Sequence, residues 1–212
     1  MNALLAHRAT KPVLFVLALL PLAQLLYGAF TDSLGANPAE ALSRGTGDWV
    51  LRFLCLTLAV TPLRQWTGWS ALARLRRMLG LYAFFYGVLH FLCYAWLDMG
   101  FAASDIVRDI PKRPFVLVGL LALLLMVPLA ATSFNRAIKA LGALRWRRLH
   151  RLVYVIVLLG LLHFYWMRGA KHDYAEVHLY AAVIALLLGW RLWHALRARR
   201  VTALASRQRL TS

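Results

Sequence analysis

Apolar residues along the 212-residue chain gather into six blocks, at about 12–30, 48–63, 78–97, 114–131, 149–167 and 175–196, parted by short polar or basic stretches. Each block is near the length of about 20 residues that a helix needs to cross a hydrocarbon core. The pattern predicts an all-α, polytopic membrane protein: a six-helix transmembrane bundle over residues 1–197, then a basic, disordered cytoplasmic tail over 198–212. The second block is the shortest, with Arg52 near one end and Pro62 near the other. An arginine so placed can snorkel to the headgroups. The first block carries Pro21 and Gln24 and ends without an A-x-A cleavage site, so it reads as an uncleaved span. Between the blocks, residues 31–47 read as a polar loop rich in turn formers. Residues 98–113 read as an ordered loop or short interfacial helix, and 168–174 as a short turn. Residues 132–148, TSFNRAIKALGALRWRR, read as an amphipathic basic stretch on the membrane surface.

Composition agrees with this class. The chain is 61% apolar and its mean hydropathy is +0.62, whereas a soluble domain is roughly half apolar. A formal charge of +17 would suggest nucleic acid in a soluble protein, but here the charge is sorted by loop. Residues 1–11, 64–77, 136–151 and 191–212 hold 18 of the 25 Lys and Arg; the alternate segments hold the other seven and all eight acidic residues. The positive-inside rule then sets both termini in the cytoplasm and removes the need for a nucleic-acid partner. Anionic membrane lipid is a secondary attraction for the basic loops. Cys55 and Cys93 fall within apolar blocks and no C-x-x-C-H is present, so two buried thiols are expected and covalent haem attachment is not indicated.

The chemistry-bearing side chains lie in blocks three and five. His90 lies deep in the third block and His163 deep in the fifth; His150 stands near the start of the fifth, inside WRRLHRL. Ionisable groups inside a bilayer are expensive and mark function by default. A single such histidine can equally be a neutral packing residue bonded to a neighbouring helix. Two on separate helices at similar depth favour axial ligation of one haem iron by two imidazoles, one from each side. Thirteen positions separate His150 from His163 and also Arg77 from His90, a climb of roughly 20 Å. The repeat suggests cofactors at two levels, with His150 a candidate ligand of a second haem and Arg77 opposite it. Thirteen helical steps also turn the side chain by roughly 140°, so the two levels cannot share one straight stripe. Guanidinium is a poor metal donor and pairs well with carboxylate. Arg77, Arg148 and Arg151 are therefore candidates for holding haem propionates, with direct ligation by Arg77 a separate possibility. His178 reads as structural or interfacial, and His7, His172 and His194 as solvated block ends. No Ser/His/Asp set or paired carboxylates lie within the membrane blocks.

The segments TSFNRAIKALG, RWRRLHRLVY and LLHFYW, with RRMLGLYAFFYGVLHF and IPKRPFVLVGL, resemble the MsrQ (YedZ) family of haem-binding membrane subunits, within the ferric reductase-like transmembrane superfamily. The resemblance covers roughly residues 10–196. It implies b-type haem, one or two groups, with His90, His150 and His163 at the family's ligand positions, and FMN as an associated cofactor. It also implies an inner-membrane protein that takes electrons from a cytoplasmic flavin, flavin reductase or quinol. They would pass to a periplasmic molybdenum-containing (molybdopterin) methionine sulfoxide reductase subunit that repairs oxidised envelope proteins. The larger relatives carry two histidines on each helix, and Arg77 stands in the fourth place here. The residues alone leave two other readings open: a free-standing ferric or oxygen reductase, and a haem-free scaffold or transporter.

Overall fold

The computed structural model describes residues 2–169 and 173–211 and is built from helices. In order these are α1 (Asn2–Ala6), α2 (Thr10–Phe30), α3 (Pro38–Thr67), a 3-10 turn at Ser70–Arg74, α4 (Arg76–Cys93) running into a π-helical turn at Tyr94–Asp98, α5 (Ala103–Asp109), α6 (Pro114–Ala131), α7 (Asn135–Leu149), α8 (Leu152–Gly169) and α9 (Ala175–Thr211). His172 lies outside the described residues. The backbone of 198–211, read from sequence as a tail, continues α9.

Among the described residues, five helical stretches are long and apolar enough to cross a membrane: Thr10–Phe30, Ser70–Asp98, Pro114–Ala131, Leu152–Gly169 and Ala175–Ala198. The second apolar block becomes α3, which differs from expectation in length and in polarity. It spans 30 residues and takes in half of the stretch expected to be a loop. The reason is local. Asn37 accepts a hydrogen bond from the Glu40 backbone N–H at 3.1 Å, and Pro38 supplies the fixed φ of a first helical position. From there the helix carries Glu40, Arg44, Asp48, Arg52 and Arg64 along its length.

This charge-bearing helix also buries many of its side chains. Leu51, Phe53, Leu54, Leu58 and Val60 are all buried. α3 packs against α2, α4, α8 and α9, while α6 packs against α4 and α8. Tyr82 and Tyr86 of α4 stack on Phe53 at 5.4 Å between ring centres. Inside a bilayer, lipid tails satisfy apolar side chains as well as protein does, so close packing and buried hydrogen bonds hold such helices together. One such bond set joins α2 to α4. Tyr86 donates its hydroxyl to Ala18 O at 2.9 Å and accepts from Leu22 N at 3.2 Å. Those two atoms are an i, i+4 ladder pair beside Pro21, where the ring disturbs the helix.

The connections follow their composition. The 98–113 stretch holds α5, as one of its two expected forms. The basic stretch 132–148 becomes α7, with a break at Gly142, whose φ is 74°. Cys55 is buried and Cys93 only partly so, and both are free. His7 and His178 are exposed, whereas the His194 ring lies against Trp190 at 3.9 Å between ring centres, tilted by 36°.

Candidate functional site

α4 and α8 stand across two chambers, with α3 and α6 closing the sides. The first chamber is lined from all four helices and includes His90 and His163. The second includes Arg77 and His150, with Arg76, Arg147, Arg151 and Arg191. Leu54, Met126 and Ile156 line both and so form the partition between them; all three are buried.

This arrangement absorbs the rotation that thirteen residues impose. On α4 the lining positions include 77, 80, 81, 84, 87, 90 and 91 and, in the π turn, 94 and 98. They advance mostly by threes, short of a full turn of about 3.6 residues, so the wall drifts around the helix and Arg77 and His90 fall toward opposite edges of it.

His90 and His163 meet in the first chamber. Their ring centres are 5.9 Å apart with planes at 81°. Two imidazoles on opposite sides of one metal, each nitrogen about 2 Å from it, have centres about 6 Å apart. Both rings make their hydrogen bonds through Nδ1. His90 Nδ1 is 2.8 Å from Ser43 O and 3.5 Å from Thr46 Oγ1. His163 Nδ1 is 2.6 Å from Phe115 O. A ring that donates Nδ1–H to a carbonyl presents Nε2 as the lone-pair nitrogen, which is how metal-binding imidazoles are commonly fixed. The chamber is also cleared of side-chain bulk: Gly47, Gly87, Gly119 and Gly160, one from each of α3, α4, α6 and α8, line it. The donor set and the glycine walls fit a flat macrocycle held between two imidazoles.

The second chamber is different in character. His150 Nε2 is 3.1 Å from Thr132 Oγ1, and its ring stacks on Trp146 at 4.0 Å. Trp146 in turn donates Nε1–H to Thr132 O at 3.0 Å. Arg77 donates to Asn135 Oδ1 at 3.0 Å. The structure therefore brings His150, Arg77 and Arg151 to one chamber, whereas Arg148 lies outside both linings. The arginine-rich wall suits an anionic group, since guanidinium pairs bidentately with carboxylate.

Several participants were not picked out from sequence. Arg44 and Arg113 line the first chamber, each ion-paired on its own helix or turn, Arg44 to Glu40 at 2.6 Å and Arg113 to Asp109 at 2.9 Å. Ser43 and Phe115 contribute only backbone carbonyls, which no side-chain pattern announces. Gly87, Gly119 and Gly160 were visible as glycines inside apolar blocks, where they lower helix propensity and so point to a packing reason, whereas Gly47 lay in the stretch read as a loop. At the C-terminal end of α8, Arg168 is buried and pairs with Asp173 at 3.2 Å and with Glu176.

Residues 46–161 match the family described as ferric reductase like transmembrane component. The chain is 64% identical over 197 residues to the protein-methionine-sulfoxide reductase heme-binding subunit MsrQ of Polaromonas naphthalenivorans, covering 92% of this chain and 90% of that protein. The MsrQ of Ralstonia nicotianae is 53% identical over 93% of this chain and 91% of its own length. That of Herminiimonas arsenicoxydans is 50% identical over 89% and 87%. No solved structure matches the chain.

Proposed function

Because the chain belongs to the ferric reductase-like transmembrane family, and within it to the MsrQ haem-binding subunits, we propose that it is the electron-carrying membrane subunit of a methionine sulfoxide reductase system. It crosses the bacterial inner membrane six times, with α3 as the sixth span beside the five apolar ones, and keeps both termini in the cytoplasm. Electrons enter from a cytoplasmic flavin, flavin reductase or quinol. They leave to a periplasmic molybdenum-containing partner that reduces methionine sulfoxide.

The observation that carries this reading is the imidazole pair: His90 and His163, centres 5.9 Å apart, each tied through Nδ1 to a carbonyl of the adjoining helix. These two side chains hold one b-type haem between α4 and α8. A bound haem iron supplies the one-electron redox chemistry. His150 holds a second haem in the other chamber, where Arg77 and Arg151 take propionate charge. The sequence also offers Arg148 for that role, but its position outside the chamber lining makes it the weakest of the three. Leu54, Met126 and Ile156 keep the partition between the levels apolar and dry. FMN enters through family likeness alone, and no group of residues is assigned to it.

The test is a reduced-minus-oxidised spectrum with haem quantitation on wild type, His90→Ala, His163→Ala and His150→Ala. Loss of His90 or of His163 removes the same haem, and loss of His150 spares it. Two variants that lose different haems would refute the pairing. A folded preparation supplied with haem and still lacking a Soret band would refute the function.

A further inference from the structure

The two imidazoles are seated by one device used twice. Ser43 and Gly47 are four residues apart on α3; Phe115 and Gly119 are four apart on α6. In a helix, position i+4 sits directly over the carbonyl of residue i, so a side chain there covers that oxygen from the flank. With glycine at i+4 the carbonyl is open to a neighbouring helix. His90 of α4 reaches Ser43 O across Gly47, and His163 of α8 reaches Phe115 O across Gly119.

The clearance is small. A Cβ at position 47 would stand 3.0 Å from His90 Cε1 and 3.1 Å from Nδ1; at 119 it would stand 2.7 Å from His163 Nδ1 and 2.9 Å from Cε1. By contrast, a Cβ at Gly189 would meet nothing within 4 Å. Neither glycine has a positive φ, so backbone freedom does not explain them. Each is spaced to admit a ring.

We propose that Gly47 and Gly119 are positioning residues that set the orientation and the donor strength of His90 and His163 by exposing the Ser43 and Phe115 carbonyls to their Nδ1–H groups. This rests on the reading that both histidines ligate haem. A strong Nδ1–H···O=C bond pushes electron density onto Nε2, makes the imidazole a better donor and favours the oxidised iron. Displacing the ring weakens that push and raises the midpoint potential. Loss of an outer-shell partner of a ligating histidine costs about 10- to 100-fold in metal affinity. The shorter contacts at position 119 make it the more sensitive of the two.

The experiment compares Gly119→Ala, Gly47→Ala and Gly189→Ala in full-length detergent-purified protein. It reads haem affinity, the low-spin electron paramagnetic resonance signal and the midpoint potential. Gly119→Ala is expected to lower haem affinity about 10- to 100-fold, to shift the low-spin g values and to raise the potential of the haem that His163→Ala removes. Gly47→Ala acts in the same direction and less strongly, and gives the reading if Gly119→Ala does not fold. Gly189→Ala matches wild type in all three. Wild-type g values and potential in either chamber variant that folds would overturn the inference while leaving ligation intact. If His90→Ala and His163→Ala themselves leave the low-spin signal unchanged, the ligation reading fails, and the inference falls with it.

Discussion

Replacing Tyr86 by Phe isolates one hydroxyl and tests how the first long helix is held. Tyr86 is fully buried, with 0% exposure, and its ring contacts with Phe53 at 5.4 Å and Phe85 at 5.4 Å survive the change. What is lost is the donation to Ala18 O and the acceptance from Leu22 N. Pro21 has no N–H to give Leu17 O, and its ring spreads the adjoining turn, so a donor and acceptor from α4 are useful at this point. A net hydrogen bond contributes about 0.5–1.5 kcal/mol in soluble proteins and averages about 0.6 kcal/mol between membrane helices. Two bonds, partly compensated because Ala18 O and Leu22 N can turn to each other, give about 1–2 kcal/mol. For a chain of 150–250 residues each kcal/mol moves the melting temperature by about 2–4 °C, so a fall of about 2–8 °C is expected. Tyr82→Phe loses a single bond, to Phe15 O at 2.7 Å, and should show roughly half the fall. The assay is thermal unfolding in detergent, followed by loss of the monodisperse peak. A Tyr86→Phe protein that melts with wild type, or one that melts no lower than Tyr82→Phe, would refute the idea that this hydroxyl bridges the disturbed ladder.

Two further outcomes follow from the chambers and the loops. Arg77→Lys keeps the charge and loses the planar fork, so it should weaken or shift the haem signal that depends on His150 and leave the signal that depends on His90 alone; an unchanged spectrum and haem content would remove Arg77 from the second site. Alkaline phosphatase fused within 31–37 or 99–102 should be active and within 68–69 or 133–134 inactive. Activity at 133–134 would overturn the six-span topology.

How much was legible in the sequence depended on where the information sits. Apolar block length revealed the helices, because it is a property of contiguous side chains. It placed the start of α3 ten residues late: the Asn37–Pro38–Glu40 start signal is a local cap, and it lay in a stretch judged by its turn formers. The pairing of His90 with His163 was legible because ionisable residues in apolar segments stand out. Their seating was not. It depends on the carbonyls of Ser43 and Phe115 and on the missing side chains of Gly47 and Gly119, and neither leaves a mark that distinguishes ligand chemistry from ordinary packing. Arg148 is the reverse case. Its residue type and closeness to His150 in the chain suited a propionate partner, but α7 turns it outward while Arg147 and Arg151 line the chamber.

The polarity of α3 bears on how the chain is assembled at the membrane. A segment with Arg44, Asp48, Arg52 and Arg64 partitions poorly into lipid on its own, since each such residue near the centre of an isolated helix carries a penalty of about 2.5–3.5 kcal/mol on the insertion scale. In the six-span reading proposed above, α3 has reason to wait at the translocon until α4 emerges and to enter as a hairpin with it. A chain ending near Thr67 would leave that segment unsheltered. Biogenesis of the protein would then hinge on the arrival of the same helix that brings His90.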